Sequence, residues 1–195
     1  KYTMFLDSDL EYDPQDLLEM YNVIIGNNEI DVLYGSRNLG SKTQLRRYFI
    51  NGIAVKINTW IFNFLFNQSL SDLHTGSKVI NTDLLNRLNI NTNGFGLEIV
   101  MSSEIAKKNI NIFEYGISYY ERSFEQGKKI TIIDGFKSYY FLFRERFIQN
   151  DIQTQFSLIY SFLFMGYAGT YFGAGTGKIL VIIFFMIIGL IIALN

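Results

Sequence analysis

The charges of this 195-residue chain are confined to one part of it. Of 17 basic and 18 acidic residues, all but Asp151 and Lys178 lie in the first 150 positions. The remaining 45 positions are mostly apolar: Phe156–Phe172 is diluted by Ser, Tyr, Gly and Thr, whereas Ile179–Leu194 is an unbroken apolar run of 16 residues. At 1.5 Å per residue that run would span about 24 Å as a helix, against a hydrocarbon core of roughly 30 Å. Two such stretches in succession predict a folded domain over 1–150 and a membrane-associated hairpin over 151–195, with buried core helices as the alternative. The chain starts strand-like, without an initiator methionine or a secretory leader, and stops at Asn195, directly after the apolar run. It therefore reads as an internal piece of a longer protein.

Composition removes several classes. A net charge of −1 supplies no basic face for nucleic acid. With no cysteine, a disulfide framework, a thiolate metal site and a cysteine nucleophile are all excluded. A hydrophobic share of 49% is ample for a core and excludes disorder.

Within the first 150 residues, short apolar runs alternate with helical patterns. Strands are expected at Tyr2–Leu6, Ile30–Tyr34, Leu73–Ile80 and Asn111–Tyr120, and helices at Asp16–Gly26, Arg46–Asn67 and Leu97–Lys108. That alternation argues an α/β layered domain. The helix at 46–67 is apolar over too wide a face for an ordinary surface helix. Trp60 with Phe62, Phe64 and Phe66 suits a membrane headgroup boundary, and a buried helix of the fold is the competing reading.

Chemistry concentrates where the first strand ends, in Asp7-Ser8-Asp9. Alternate side chains of an extended segment share a face, so Asp7 and Asp9 can converge on one hard divalent cation at the mouth of an α/β sheet. A dehalogenase-type phosphatase motif would need Thr at position 11, which is Glu, and a calcium loop would need Gly at position 12, which is Tyr. The glycines at 173–177 fail as a phosphate loop: position 172 is Phe, and Ile rather than Ser or Thr follows Lys178. His74, the only histidine, has no second ligand at metal spacing and reads as structural.

Five segments in order carry a family resemblance: Asp7-Ser-Asp9-Leu-Glu11-Tyr-Asp-Pro14, Gly35-Ser36-Arg37, Asp72-Leu-His-Thr75-Gly76-Ser-Lys78, Phe95-Gly96-Leu-Glu98, and Tyr120-Glu-Arg122 through Gly127-Lys128-Lys129. Over about residues 1–148 the chain resembles the later half of a family-2 inverting glycosyltransferase of the polyprenyl-phosphate type, the dolichyl-phosphate mannose synthase-like group. The resemblance implies an α/β, type-A nucleotide-diphospho-sugar transferase fold, truncated, with C-terminal membrane helices. The strands that grip the donor's base and ribose would precede Asp7, so this piece alone is expected to be inactive. It further implies that Asp7, Asp9 and Glu11 hold Mg²⁺ or Mn²⁺ against the diphosphate of a nucleotide sugar, with Asp9 catalytic. Arg122, Lys128 and Lys129 match the late basic motif that holds donor phosphates. Arg37 matches the arginine that faces the acceptor's phosphate and is also counted as catalytic. Arg46 and Arg47 could act likewise, and Asp72, Thr75 and Gly76 belong to a loop on the acceptor side.

The acceptor can be argued from chemistry. A phosphate monoester has its second pKa near 6, so a polyprenyl phosphate is mostly dianionic at pH 7 and needs charge shielding and alignment rather than a base. A sugar hydroxyl would need one, and Glu98 stands where other family-2 enzymes place it. Otherwise Glu98 is a carboxylate favoured by a helix N-terminus. The expected activity is therefore metal-dependent transfer of a hexose from a nucleotide sugar to a polyprenyl phosphate at a membrane. The alternatives are a family-2 transferase acting on a sugar hydroxyl, or a non-catalytic membrane-anchored binding module. Arg144 and Arg146, just before the tail, place the catalytic domain on the cytoplasmic side by the positive-inside bias.

Overall fold

In the computed structural model the described residues are 1–40, 42–92, 96–128 and 132–149, together with Tyr160. Lys129, the glycines at 173–177 and both apolar stretches of the tail lie outside them. The chain divides into two compact units, Lys1–Leu142 and Phe143–Asn195. In the second, a π-helical turn at Arg144–Ile148 carries an ion pair of 2.6 Å between Arg144 and Glu145.

The first unit is built on a four-stranded mixed sheet. Its strands are β1 (Tyr2–Phe5), β2 (Val32–Ser36), β4 (Lys78–Asn81) and β5 (Phe113–Gly116), in the order β1-β4-β2-β5. β4 runs antiparallel to both neighbours, with Met4 opposite Val79 and Leu33 also opposite Val79, while β2 and β5 are parallel. β3 (Gln44–Leu45) and β6 (Tyr119–Tyr120) form a small parallel pair. All five residues of β2 are buried, as expected of a strand covered on both faces.

Helix α1 (Pro14–Ile25) covers one face. Asp13 caps it by accepting from the Gln15 N–H at 2.9 Å, and Pro14 fills the first position, where no N–H is needed. Met20 and Ile24, four apart on one stripe, are fully buried against Leu33, Val79 and Ile117. Each such side chain contributes about 1.5–3 kcal/mol of burial. On the other face, Tyr34 of β2 shares a 3.0 Å hydroxyl–hydroxyl hydrogen bond with Ser102 of α4 (Leu97–Lys107). α3 (Thr82–Leu85) follows β4 directly, capped by Asn81, and α5 (Ile132–Phe143) closes the described part of this unit.

The expected strand over Leu73–Ile80 forms only from Lys78; residues 72–77 are a loop. Its backbone N–H groups are taken by side chains instead of a neighbouring strand: Asp72 donates to Glu114, Leu73 to Thr59, Gly76 to Tyr12 and Ser77 to Thr75. A Cβ on Gly76 would lie 2.0 Å from an Asp7 carboxylate oxygen, so the loop packs directly on the acidic turn. The strand expected over Asn111–Tyr120 is likewise broken, into β5 and β6.

Helix α2 (Phe49–Phe66) divides the aromatics grouped by sequence. Phe62 and Phe66 are buried in the core, whereas Trp60 and Phe64 stack on each other at 6.0 Å and are 67% and 51% exposed. Phe49 and Ile50 at its start are more exposed still. By length and composition α2 is the one candidate membrane helix among the described residues.

Candidate functional site

The elements converge on one large cavity. β1 delivers the acidic turn at 7–13, β2 runs into Arg37, β4 is preceded by the loop at 72–77, and α4 opens with Glu98. Together with one side of α2 and the first half of α5 they enclose about 840 Å³, with Asp7, Asp9, Arg37, Asn58, His74 and Glu98 among the polar lining. Ile50, Ala54, Val55, Phe124 and Phe136 give the same cavity an apolar wall. That volume lies in the range of small-molecule sites.

The acidic turn is held open by backbone geometry. Leu10 takes a left-handed conformation (φ 65°), unusual for a bulky residue, and its side chain is exposed. This lets the Asp9 carboxylate accept from the Glu11 N–H at 3.1 Å, so that position 9 faces the cavity and Glu11 turns inward. Asp7 fits only because Gly76 has no side chain. Burial raises the Asp7 pKa and the neighbouring Asp9 raises it further, with Lys78 and Arg37 opposing.

Glu11 is enclosed and bonded from several directions. Tyr119 donates its hydroxyl to one oxygen; the Arg122 N–H reaches the other at 2.9 Å, with the Lys128 ammonium 3.7 Å away. Arg122 also donates to Asp9 at 3.1 Å. Lys128 is 7% exposed and is paired more closely with Glu121, at 2.6 Å. The basic motif is therefore tied to the acidic turn at Arg122 and Lys128, while Lys129 lies outside the described residues.

In the loop before β4, Asp72 is fully buried outside the cavity lining and grips Arg37 through a two-pronged pair of 2.6 and 2.7 Å plus the Arg37 backbone N–H at 3.1 Å. Burial opposes charge on Asp72, but Arg37 outweighs it and holds the carboxyl below its ordinary range. Two of the five guanidinium hydrogens are used by Asp72, and the group lies over the Tyr119 ring at 5.1 Å. Arg46 donates to the Arg37 carbonyl and, at 2.9 Å, to the Asn38 side chain; Arg47 donates to the Glu121 carbonyl at 2.9 Å. Both are thus anchored beside a smaller cavity that Arg46 and Lys128 help line. Thr75 is buried and accepts from the Ser77 N–H at 3.2 Å; Gly76 donates to the Tyr12 hydroxyl at 3.0 Å. These three loop residues position their neighbours rather than line the cavity.

Sequence reading passed over three groups. Lys78 is 2% exposed, donates to the Thr75 carbonyl and lies over the Tyr34 ring at 4.7 Å. Burial pulls its pKa to about 8 against the opposing pull of Glu98, Asp72 and Asp7. It is a buried cation near Glu98, Asp72 and Asp7, and its place in the Asp72–Lys78 segment was the only available signal. Asn58 and His74 also face the cavity, although His74 reads as structural from sequence. Burial raises the Glu98 pKa, against Lys78, which favours its ionised form.

Among the described residues no three acidic or histidine side chains assemble into a complete metal site. Asp7 and Asp9, two hard oxygen donors facing a cavity, with the charge on Asp9 adding to burial in raising the Asp7 pKa, fit a cation that takes its other ligands from phosphate and water.

No protein-family model matches the chain. It is similar to the glycosyltransferase AglJ of Haloferax volcanii, with 27% identity over 128 residues, covering 62% of this chain and 39% of that protein. The chain thus spans about two fifths of the relative's length. This likeness supports a relation to glycosyltransferases, with which the mixed α/β sheet is compatible.

Proposed function

We propose that the protein carrying this chain transfers a hexose from a nucleotide sugar to a polyprenyl phosphate, with Mg²⁺ or Mn²⁺ as cofactor. The observation that carries the reading is the composition of one cavity: carboxylates and an arginine at its floor, and apolar α2 and α5 side chains along its wall. An acceptor with an anionic head and a hydrocarbon tail matches both. The exposed face of α2, with Trp60 and Phe64, then rests in the headgroup region.

In this reading Asp7 and Asp9 would hold the cation, which would supply positive charge against the leaving diphosphate. Arg122, tied to Asp9, keeps the acidic turn in register, and the basic motif of Arg122, Lys128 and Lys129 would supply the positive charge that the donor phosphates need. Arg37, oriented by Asp72, turns its remaining N–H groups to the acceptor phosphate, with Arg46 and Arg47 behind it. A phosphate oxygen of the acceptor forms a bond to the anomeric carbon. The bond from that carbon to the diphosphate breaks, and its electron pair leaves with the nucleoside diphosphate. Lys78 offsets the negative charge that Asp7, Asp72 and Glu98 bring together.

The raised pKa of Glu98 favours a second reading, in which it removes the proton of a sugar hydroxyl. Replacing Glu98 by Gln keeps its size and removes the base. In single-turnover transfer by the full-length protein, a phosphate-directed enzyme loses about tenfold or less. A loss of about 10²–10⁴-fold assigns the hydroxyl acceptor instead.

A further inference from the structure

An aromatic ring joins the acidic turn to Arg37. Tyr119 opens β6 and is buried, and it lines both the large cavity and the smaller one beside Arg46. Its hydroxyl donates to Glu11, and its face carries the Arg37 guanidinium at 5.1 Å. Glu11 in turn donates its backbone N–H to the Asp9 carboxylate at 3.1 Å. A contiguous path from Asp9 to Arg37 therefore runs through this side chain.

The backbone around Tyr119 is fixed by other contacts. Its N–H donates to the Thr43 carbonyl at 3.2 Å, and Tyr119 and Tyr120 pair with Gln44 and Leu45 of β3. The Tyr120 N–H donates to the Glu11 carbonyl at 2.9 Å, and the Tyr12 ring packs against the Tyr119 ring at 5.4 Å. The two ends of the side chain can therefore be separated without moving the strand. The hydroxyl makes a charge-assisted hydrogen bond to a carboxylate, the stronger kind. The face makes a cation–π contact with a guanidinium that Asp72 already grips at one edge, so the Arg37 plane is held by an edge and a face.

We propose that Tyr119 is a positioning residue that sets the spacing between the acidic turn and Arg37, its hydroxyl holding the turn and its ring holding the arginine. The proposal rests on the glycosyl-transfer reading, and its test separates the two. In that reading the acceptor phosphate must meet the anomeric carbon in line with the departing diphosphate, and a misplacement of about 1 Å costs roughly a hundred-fold in rate. Tyrosine is suited to the task, because a rigid ring on two side-chain torsions keeps its ends at a fixed separation.

Tyr119→Phe and Tyr119→Leu in the full-length protein divide the two ends. Two quantities are measured beside wild type. One is the Mn²⁺ concentration for half-maximal transfer from UDP-glucose or GDP-mannose to polyprenyl phosphate. The other, without metal, is the affinity for polyprenyl phosphate in detergent micelles.

Tyr119→Phe keeps the ring and loses the hydroxyl. It should need about tenfold more Mn²⁺, the lower end for a hydrogen bond to a charged group, and bind the acceptor like wild type. Tyr119→Leu loses both ends; it should need as much extra Mn²⁺ and bind the acceptor about fivefold more weakly, the scale of a cation–π contact. A residue that only fills space would leave Tyr119→Phe like wild type in both measurements. A residue that only holds the fold would weaken acceptor binding in Tyr119→Phe as well. Either result overturns the proposal, as does a folded Tyr119→Leu that binds the acceptor like wild type. If Tyr119→Leu does not fold, Tyr119→Phe decides alone. Wild type that transfers no hexose to polyprenyl phosphate from either nucleotide sugar overturns the glycosyl-transfer reading, and the spacing role with it.

Discussion

The carboxylates around the cavity fall into two sets. Asp72 and Glu11 lie at 0% and 5% exposure, and their oxygens are bonded from several sides: Asp72 by Arg37, Glu11 by Tyr119 and Arg122. Asp7 and Asp9 face the cavity, crowded enough that the charge on Asp9 raises the Asp7 pKa. A buried ion pair with its hydrogen bonds complete is positioning machinery, and removing one partner strands the other. Asp9 also accepts from the Glu11 N–H and from Arg122, so the two sets differ in burial rather than in having partners. In the proposed reading the first set holds the fold and the second does the chemistry.

The deepest loss that could overturn this division is expected in the open set. Asp7→Asn and Asp9→Asn in the full-length protein should each lower Mn²⁺-dependent transfer by about a thousand-fold or more, the loss expected when a cation worth several kcal/mol of charge stabilisation is no longer held. Thermal melting of Asp7→Asn should hardly move. Transfer at wild-type rate in either variant would take the metal role away from the pair.

The engaged set should show the reverse. Asp72→Ala leaves the Arg37 guanidinium buried without its carboxylate and should cost about 3–5 kcal/mol of stability, read from denaturant unfolding. A variant as stable as wild type would mean that the two-pronged pair does not anchor the loop.

Acid separates the two kinds of group again, through the neutral member of the loop. His74 is held neutral in the folded state down to a pKa of about 4, against 6.5 when unfolded, by burial and by the neighbouring cations Arg37 and Lys78, with Asp72 opposing. The unfolded chain therefore binds the extra proton first. Its contribution is fully present above pH 6.5 and is lost as pH falls towards 4, by about 3 kcal/mol. The stability of His74→Gln should be flatter by that amount over the window, and an identical slope would show that the imidazole is not buried.

The mildest change concerns Glu11, which stands in the acidic motif yet is bonded like a structural residue. Glu11→Gln should cost about 1–3 kcal/mol of stability and roughly tenfold in transfer. A loss as deep as that of Asp9→Asn would move Glu11 into the metal set.

Much of the frame was legible because its signals are local. Met20 and Ile24 share a helical stripe, Asp13-Pro14 marks the start of α1, and apolar runs mark β1 and β2. What escaped depends on pairs far apart in sequence. Leu73 and Thr75 look like strand residues, and only the bonds that distant Glu114, Thr59 and Tyr12 side chains make to the loop backbone show why they form a loop. Arg37 and Asp72 were both placed at the site, but nothing in either segment says that one holds the other across 35 residues. Phe62 and Trp60 look alike in sequence; packing sends one inward and the other out. His74 has no motif at all, and its unpartnered nitrogen appears only once the cavity is formed.

The proposed mechanism stands on Asp7 and Asp9 as the cation site of a sugar transfer to a lipid phosphate. Single-turnover transfer from a nucleotide sugar to a polyprenyl phosphate by the full-length protein, with Mn²⁺ and after chelation, puts that site to the test. Transfer should stop on chelation, return with added Mn²⁺ in wild type, and not return in Asp9→Asn. Transfer that continues undiminished after chelation, or that Mn²⁺ restores equally in Asp9→Asn, would contradict the cation site.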